Sequence, residues 1–497
     1  MLASKTVVSA VWLLAWRLIS RGIGMISTLI LARVLVPSDF GIVAMATTFS
    51  TMIDTLSQIG VQDALVRRAD NNRDLFNTAF TLQVGRGILT CIILSASGPI
   101  ASLWFGEPRL ISMMMALGGI AFISSLENVG IAEFRRGMRY SMVFSLLTIP
   151  RVLSVIFAIS AALILKSYWA LLIGMASSVT IRTVMTYIAH PFRPRLSLAG
   201  WRQLAGFSFW IWAACIVGIL WERIDVFVLG PLFGSALLGL YVIALELASL
   251  PMTEIVAPVS DALFAGFSRA QTSTSSSAHY APVVAVMLVM VIAPITITIS
   301  CASGYVVAAL LGPHWSSAAP LISILAWLCL FSPLSTVCNT VLVANGHVMR
   351  GFIGKAIATA VKVAVLLIAA SMTRRLDIVA GAMTACVALE SCAYLFLMSD
   401  LPDVRLRTMV APISRALAAG LLTVLVLHQL DLAWQVVTMP SLQAILYGAM
   451  IGISVTGLYV TFVTILWFGT GRPAGPETRF LELAGNFLRP LILRFSR

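Results

Sequence analysis

The chain has 497 residues, of which 59% are hydrophobic and 11% charged, with a mean hydropathy of +0.97. A soluble domain carries roughly 25% charged residues, so these figures exclude a water-soluble protein and describe a multi-pass integral membrane protein. The formal net charge of +13 would suggest nucleic acid in a soluble protein, but the positions of the charges, taken up below, exclude that partner.

A spanning helix needs about 20 mostly apolar residues. Fourteen segments qualify: six at 9–34, 40–60, 79–104, 110–133, 141–165 and 168–189, six more at 204–230, 237–262, 281–308, 318–344, 352–372 and 378–399, and a final pair at 410–430 and 442–468. The first is too long for a cleaved signal and is broken by Arg17 and Arg21. The expected fold is all-α and integral to the membrane, with two pseudo-symmetric six-helix lobes around a central cavity and an added C-terminal helix pair. In residues, that is an N-terminal lobe over 1–190, a cytoplasmic connection over 191–203, a C-terminal lobe over 204–400, the extra pair over 401–470 and a cytoplasmic amphipathic tail over 471–497.

The loops set the orientation. Arg67 and Arg68, Arg135 and Arg136, Arg193 and Arg195, Arg269, Arg350, Arg405 and Arg407, and the arginines after Gly471 all fall on one side. The other side holds Arg33, Arg109, Lys166, Arg374 and Arg375. The richer side is cytoplasmic by the positive-inside rule, with both termini there. The basic charge is therefore mostly topogenic. In the tail, Phe480, Ala484, Phe487, Leu488, Leu491 and Phe495 make one helical stripe among arginines. That pattern suits either a helix on the anionic membrane surface or a packed cytoplasmic cap.

One stretch repeats another. VLGPLFGSALLGLYVIA (228–244) lies over ILARVLVPSDFGIVAMA (30–46), with Gly239 on Gly41, and RLISMMMAL (109–117) echoes PLISILAWL (320–328). A period this long means two homologous halves. Each lobe has an even number of helices, so both enter the membrane in the same direction. They are then related by an axis along the membrane normal, as in transporters built from parallel repeats.

Ionisable residues inside apolar segments each cost on the order of 2.5–3.5 kcal/mol or more at mid-bilayer and are functional candidates. Arg17 and Arg21 are four apart and share a helical face. Two adjacent cations call for an anion with several oxygens, or else they snorkel to the cytoplasmic headgroups. Arg151, just after Pro150 and near mid-membrane, has less scope to snorkel and is read as cavity-lining. Arg86, Arg182, Lys355 and Arg415 are read as interfacial, and Lys362 fits either role. Glu222, Arg223 and Asp225 crowd one helix at spacings that do not share a face, so Arg223 pairs with at most one of them locally. Together with Glu246 the two acids are candidates for an ion-coupling or gate role, an inter-helix ion pair being the structural alternative. The seven cysteines all lie in apolar segments without CxxC spacing and read as small buried residues, with no metal site. There is no P-loop, HExxH or GxSxG, and no outside loop long enough for a catalytic domain. The chain is expected not to be an enzyme, and no cofactor is expected beyond H+ or Na+ as a coupling ion.

Several motifs together carry a family resemblance. LARVLVPSDFGIVAMA, IGVQDALVRR, NTAFTLQVGRG, FRRGMRYS, RPRLS, ERIDVFVLGPLFGSALLGLYVIALELASLP and PLSTVCNTVLVANGHVMR resemble the Wzx-type polysaccharide flippases of the multidrug/oligosaccharidyl-lipid/polysaccharide (MOP) exporter superfamily. The resemblance covers about residues 5–400 and fades in the last two helices. It implies translocation of an undecaprenyl-diphosphate-linked oligosaccharide across the bacterial inner membrane by alternating access, driven by an ion gradient. It also implies a cationic cavity onto which Arg17, Arg21, Arg151 and Arg223 map, and it puts Asp225 where such proteins place an acid before "VLG". Implied partners are the lipid-linked substrate, membrane lipids, and a polysaccharide polymerase with its export machinery. A cation-coupled drug exporter and a lipid II flippase of the same superfamily are the alternatives. A membrane polysaccharide polymerase is disfavoured, since it would carry a large outer loop.

Overall fold

The computed structural model describes residues 2–57, 73–137, 139–199, 209–260, 281–398, 406–435, 439–473 and 478. Every regular element among them is helical. Backbone polar groups cannot be left unpaired in lipid, and helices satisfy them internally. By contacts the chain divides into two compact units, Met1–Gly239 and Leu240–Arg497. The amphipathic tail expected after Gly471 lies outside the described residues apart from Arg472, Pro473 and Thr478. So do Asp261 and part of the 191–203 connection.

The first unit holds α1 (Leu2–Val34), α2 (Pro37–Ser57), α3 (Arg73–Phe105), α4 (Leu110–Ser125), α5 (Tyr140–Leu165) and α6 (Trp169–Ala189). It also holds most of α7 (Phe209–Ala248). α5 and α6 meet through small buried residues, with Gly174 against Ala158. Such residues let helices approach closely where lipid supplies no hydrophobic drive. The second unit holds α8 (Ala281–Cys301), α9 (Ser303–Leu310), α10 (Ala319–Leu325), α11 (Leu328–Ala344), α12 (Val348–Met372), α13 (Leu376–Met398), α14 (Leu406–Gln429) and α15 (Ser441–Gly469). One buried cluster runs through it, including Val289 and Ile292 of α8, Val341 of α11, Tyr394 of α13, Ala416 of α14 and Tyr459 of α15. The final helix pair is thus built into the core of the second unit.

Among the described residues, eleven helices are long and apolar enough to cross a membrane, or twelve if the pair Pro313–Leu325 and Leu328–Ala344, bent by 45°, is one span. The remaining expected segments have local accounts. The segment at 110–133 stops at Ser125 because Asn128 takes an extended conformation (φ −68°, ψ 114°), its side chain capping the next turn at the Gly130 amide. The segments at 204–230 and 237–262 meet inside α7, which is two helices joined at Gly234 (φ 74°, ψ 175°). Glycine occupies that left-handed conformation without the steric cost other residues meet. The punctuation GPLFGS therefore carries the junction between the two helices.

Candidate functional site: an arginine stripe in the first unit

Arg17, Arg21, Gly24, Thr28, Leu31 and Leu35 succeed one another at spacings of four and three and so make one stripe along α1 and the residue just after it. The stripe changes character along its length. Arg17 and Arg21 are exposed, whereas Leu31 and Leu35 are buried. Its N-terminal half is open and its C-terminal half is sealed.

The opposite side of α1 is apolar. Ile26 and Ile30 each lie nine residues beyond an arginine of the stripe, hence half a turn away, and both are exposed, as is Ile19. That face suits lipid. Arg17 and Arg21 stand on the opposite face.

Arg151 repeats the arrangement on α5. It is exposed, while the exposed apolar residues Met142, Ile149, Leu153 and Ile156 occupy the far side of its helix. Its guanidinium lies on Gly24, close enough that a Cβ there would come within 2.8 Å of a terminal nitrogen. Arg151 is thus brought onto the same stripe as Arg17 and Arg21. Gly24 escaped the sequence reading. Its signal was present, since it stands three residues past Arg21 on the arginine face.

Arg223 is half-buried on α7, with its Nε atom facing no hydrogen-bond partner among the described residues. Asp225 is the buried acid of its group, 1% exposed, and Oδ1 accepts from the Val226 amide at 2.9 Å. Glu222 is exposed on α7, and Glu246 is exposed in the second unit's part of that helix. Phe227 anchors this stretch within the first unit, with ring centroids 5.5 Å from Phe49 and 5.3 Å from Trp104.

Other ionisable residues have partners. Arg182 is 3.0 Å from Glu127, and Lys355 is 2.7 Å from Glu390. Asp54 and Arg86 lie close enough to feel each other's charge. Arg182 and Lys355, which the sequence reads as interfacial, are thus ion-paired across segments, Arg182 of α6 to an acid just past α4 and Lys355 of α12 to one on α13.

Beyond the sealed end of the stripe lies a reciprocal contact. A Cβ on Gly41 would overlap the Ser235 carbonyl oxygen, and one on Gly239 would overlap that of Pro37. In the sequence repeat Gly239 stands for Gly41 and Ser235 for Pro37, so exchanging the two segments exchanges the two contacts. The repeat is therefore realised locally as a two-fold backbone seam that glycine alone permits. Side chains reinforce it. Asp39 accepts from the amides of Tyr168 (3.2 Å) and Val36 (3.4 Å). Glu107 accepts from Arg109 at 2.7 and 3.0 Å and from the Ser235 hydroxyl at 3.2 Å. The Arg109 guanidinium holds the Glu107 carboxyl below the usual carboxylate range.

Residues 30–320 match the family described as "Polysaccharide biosynthesis protein". The chain belongs to that family. It is 22% identical over 360 residues to the lipopolysaccharide biosynthesis protein WzxC of Escherichia coli K12, a match covering 71% of this chain and 72% of WzxC. It is 24% identical over 341 residues to the succinoglycan biosynthesis transport protein ExoT of Rhizobium meliloti, covering 65% and 66% of the two chains. Among solved structures it resembles the lipid II flippase MurJ in an inward closed conformation, with TM-score 0.70 and 11% identity over 93% of this chain and 99% of MurJ. It also resembles an inward-facing MATE multidrug transporter of the MOP superfamily, with TM-score 0.58 and 12% identity over 80% and 99%. The chain is therefore a multi-span membrane protein of the polysaccharide biosynthesis family with a MOP-type transporter fold.

Proposed function

We propose that this chain is a flippase that moves an undecaprenyl-diphosphate-linked oligosaccharide repeat unit from the cytoplasmic to the periplasmic leaflet of a bacterial inner membrane. The product would feed exopolysaccharide, capsule or O-antigen export. The observation that carries the reading is the stripe of Arg17, Arg21 and Arg151, turned away from the apolar faces of both helices and open at the end nearer the arginine-rich loops. A diphosphate offers several oxygens to guanidinium forks, and charge-assisted bonds of this kind are about twice as strong as neutral ones. In this reading the diphosphate enters from the cytoplasmic side, the prenyl tail stays in lipid, and the sugar follows the head. Fourteen crossings put both termini in the cytoplasm. Two like-oriented lobes alternate access. Arg223 completes the cationic lining. The buried Asp225, with Glu222 and Glu246 as the accessible acids, couples movement to H+ or Na+. A polymerase and export machinery receive the product.

Deleting the gene tests this. Surface polymer is expected to disappear and lipid-linked repeat units to accumulate, with rescue by the wild-type gene and none by the Arg17→Gln, Arg21→Gln, Arg151→Gln triple variant. Unchanged export in a deletion strain lacking a paralogue overturns the reading. The MATE-like fold motivates one competing outcome, altered drug susceptibility, and rescue of a strain depleted of its lipid II flippase is the other.

A further inference from the structure

The second unit contains a cavity of about 340 Å³ lined by Ser300, Ser323, Ile324, Trp327, Gly381, Thr384 and Trp434. That volume sits at the small end of the ~300–1,000 Å³ typical of ligand pockets. It lies by the end of α8, the end of α10 and the first half of α13, beside the turn joining α14 to α15. By the loop charges this is the side away from the arginine-rich loops. Trp327, Gly381, Thr384 and Trp434 all fall beyond the family match at 30–320.

The lining chemistry is specific. No lining residue is charged, and two are tryptophans. Three hydroxyls already donate to backbone carbonyls: Ser300 to Ser323 (2.8 Å), Ser323 to Pro320 (2.7 Å) and Thr384 to Ala380 (3.0 Å). With their protons committed, their oxygens remain as acceptors. Among the described residues, neither the Trp327 nor the Trp434 indole N–H has a hydrogen-bond partner, so two donors remain. Apolar plates edged by neutral acceptors and donors match a pyranose ring, whose C–H faces are apolar and whose rim bears hydroxyls.

Trp434 is held in place deliberately. It is 43% exposed and adopts φ +57°, a left-handed conformation that is an outlier for a bulky residue. Strain of this kind persists where surroundings enforce it, often at ligand sites. Here its amide donates to the Cys301 carbonyl (3.0 Å), and the next residue, Gln435, accepts from the Tyr305 hydroxyl (2.8 Å). A Cβ added at Gly381 would meet nothing within 4 Å. The pocket has room there that the fold does not need.

We infer that this cavity is a saccharide site on the outer side of the second unit, taking one uncharged pyranose ring of the transported repeat between Trp327 and Trp434. The final helix pair exists in part to hold Trp434 over it. The inference rests on the polysaccharide reading above and adds a selectivity element to it.

The test is saturation-transfer NMR with full-length protein in nanodiscs, titrating the oligosaccharide released by mild acid from the host's own lipid-linked pool. Wild-type protein is expected to bind saturably. Trp434→Ala should weaken binding at least tenfold, with Trp434→Phe retaining most of it. Gly381→Leu should abolish binding while leaving the melting temperature unchanged, since its side chain enters open space. Arg151→Gln should bind the free sugar normally. Saturable binding that is indifferent to Trp434→Ala and Gly381→Leu overturns the site, and so does the absence of any binding. Displacement of bound sugar by a short-chain alcohol but not by free monosaccharide overturns the saccharide assignment. Binding is read without transport, so a sugar site can stand even if gene deletion leaves export intact, and export can depend on the chain even if the pocket is empty of sugar.

Discussion

Three arginines of the first unit and the two lysines of α12 in the second sit in opposite circumstances. In the first unit Arg17, Arg21 and Arg151 are exposed, on helix faces turned away from the apolar ones. In the second, Lys362 is 1% exposed and Lys355 is locked 2.7 Å from the nearly buried Glu390. In sequence these are the same signal, an ionisable residue inside an apolar run. The structure separates exposed arginines gathered on one stripe from lysines that are buried or paired across helices. Burial of one partner decides which role a charge has, because a buried charge must be matched within the protein.

The sharpest way to break this division is Glu390→Ala. It leaves Lys355 without its carboxylate, and breaking a buried pair costs about 3–5 kcal/mol. Lys355 is partly exposed, so the lower end is expected, about 3 kcal/mol, read as a lowered melting temperature in detergent. Replacing both residues with Met and Leu should restore most of the stability. A Glu390→Ala protein that melts like wild type yet fails to export would give the second unit's pair a transport role and erase the distinction.

Next in size is the seam. Gly239→Ala forces backbones apart where a methyl group has no space, and overpacking of this kind costs about 1–3 kcal/mol. Gly41→Ala should do the same, and the double variant should cost less than the sum, because one displacement relieves both overlaps. Additive melting shifts would mean the contacts are not reciprocal.

Much of this was legible before any coordinates. The apolar segments, the repeat that places Gly239 on Gly41 and the adjacency of Arg17 and Arg21 are all periodic or positional signals, which sequence carries directly. The seam's chemistry was not legible. Glycine in a repeat does not announce which carbonyl it meets. Gly24 beneath Arg151 was missed because the contact joins α1 to α5, and helix periodicity says nothing about neighbours. The ion pairs Arg182–Glu127 and Lys355–Glu390 were missed as pairs for the same reason. That the break between the segments at 204–230 and 237–262 narrows to one residue, Gly234, was not legible either, because Pro and Gly mark where a helix ends and not how few residues the junction needs.

Arg151 itself sharpens the comparison from the other side. Arg151→Gln removes an exposed charge that has no ion-pair partner among the described residues, so stability should change by less than about 0.5 kcal/mol. Export in the complemented deletion strain should fall at least tenfold, equivalent to about 1.4 kcal/mol. Arg151→Lys should be intermediate, because an ammonium cannot fork onto phosphate. Gly24→Ala should mimic it weakly by displacing the guanidinium. A large loss of stability in Arg151→Gln with export per folded molecule unchanged would move this arginine into the class of Lys355.

The smallest effect concerns Glu107, a charge pair outside the spans that is neither buried like Glu390 nor solitary like Arg151. Its carboxyl is held below the usual range, chiefly by the Arg109 hydrogen bond, so its folded pKa lies beneath its unfolded value. A depressed carboxylate contributes stability that is present above the unfolded pKa, about 4, and is lost as pH falls through the folded one. The Arg109 side chain is 45% exposed, so solvent screens the pair and the contribution stays below about 1 kcal/mol. Melting temperatures of wild type and Glu107→Gln should therefore differ at pH 7 and converge in acid below about pH 4. Parallel curves would mean that Glu107 does not bind protons differently in the folded and unfolded chains. The seam would then owe nothing to this carboxylate's charge, and the glycine substitutions Gly41→Ala and Gly239→Ala would be the ones to open it.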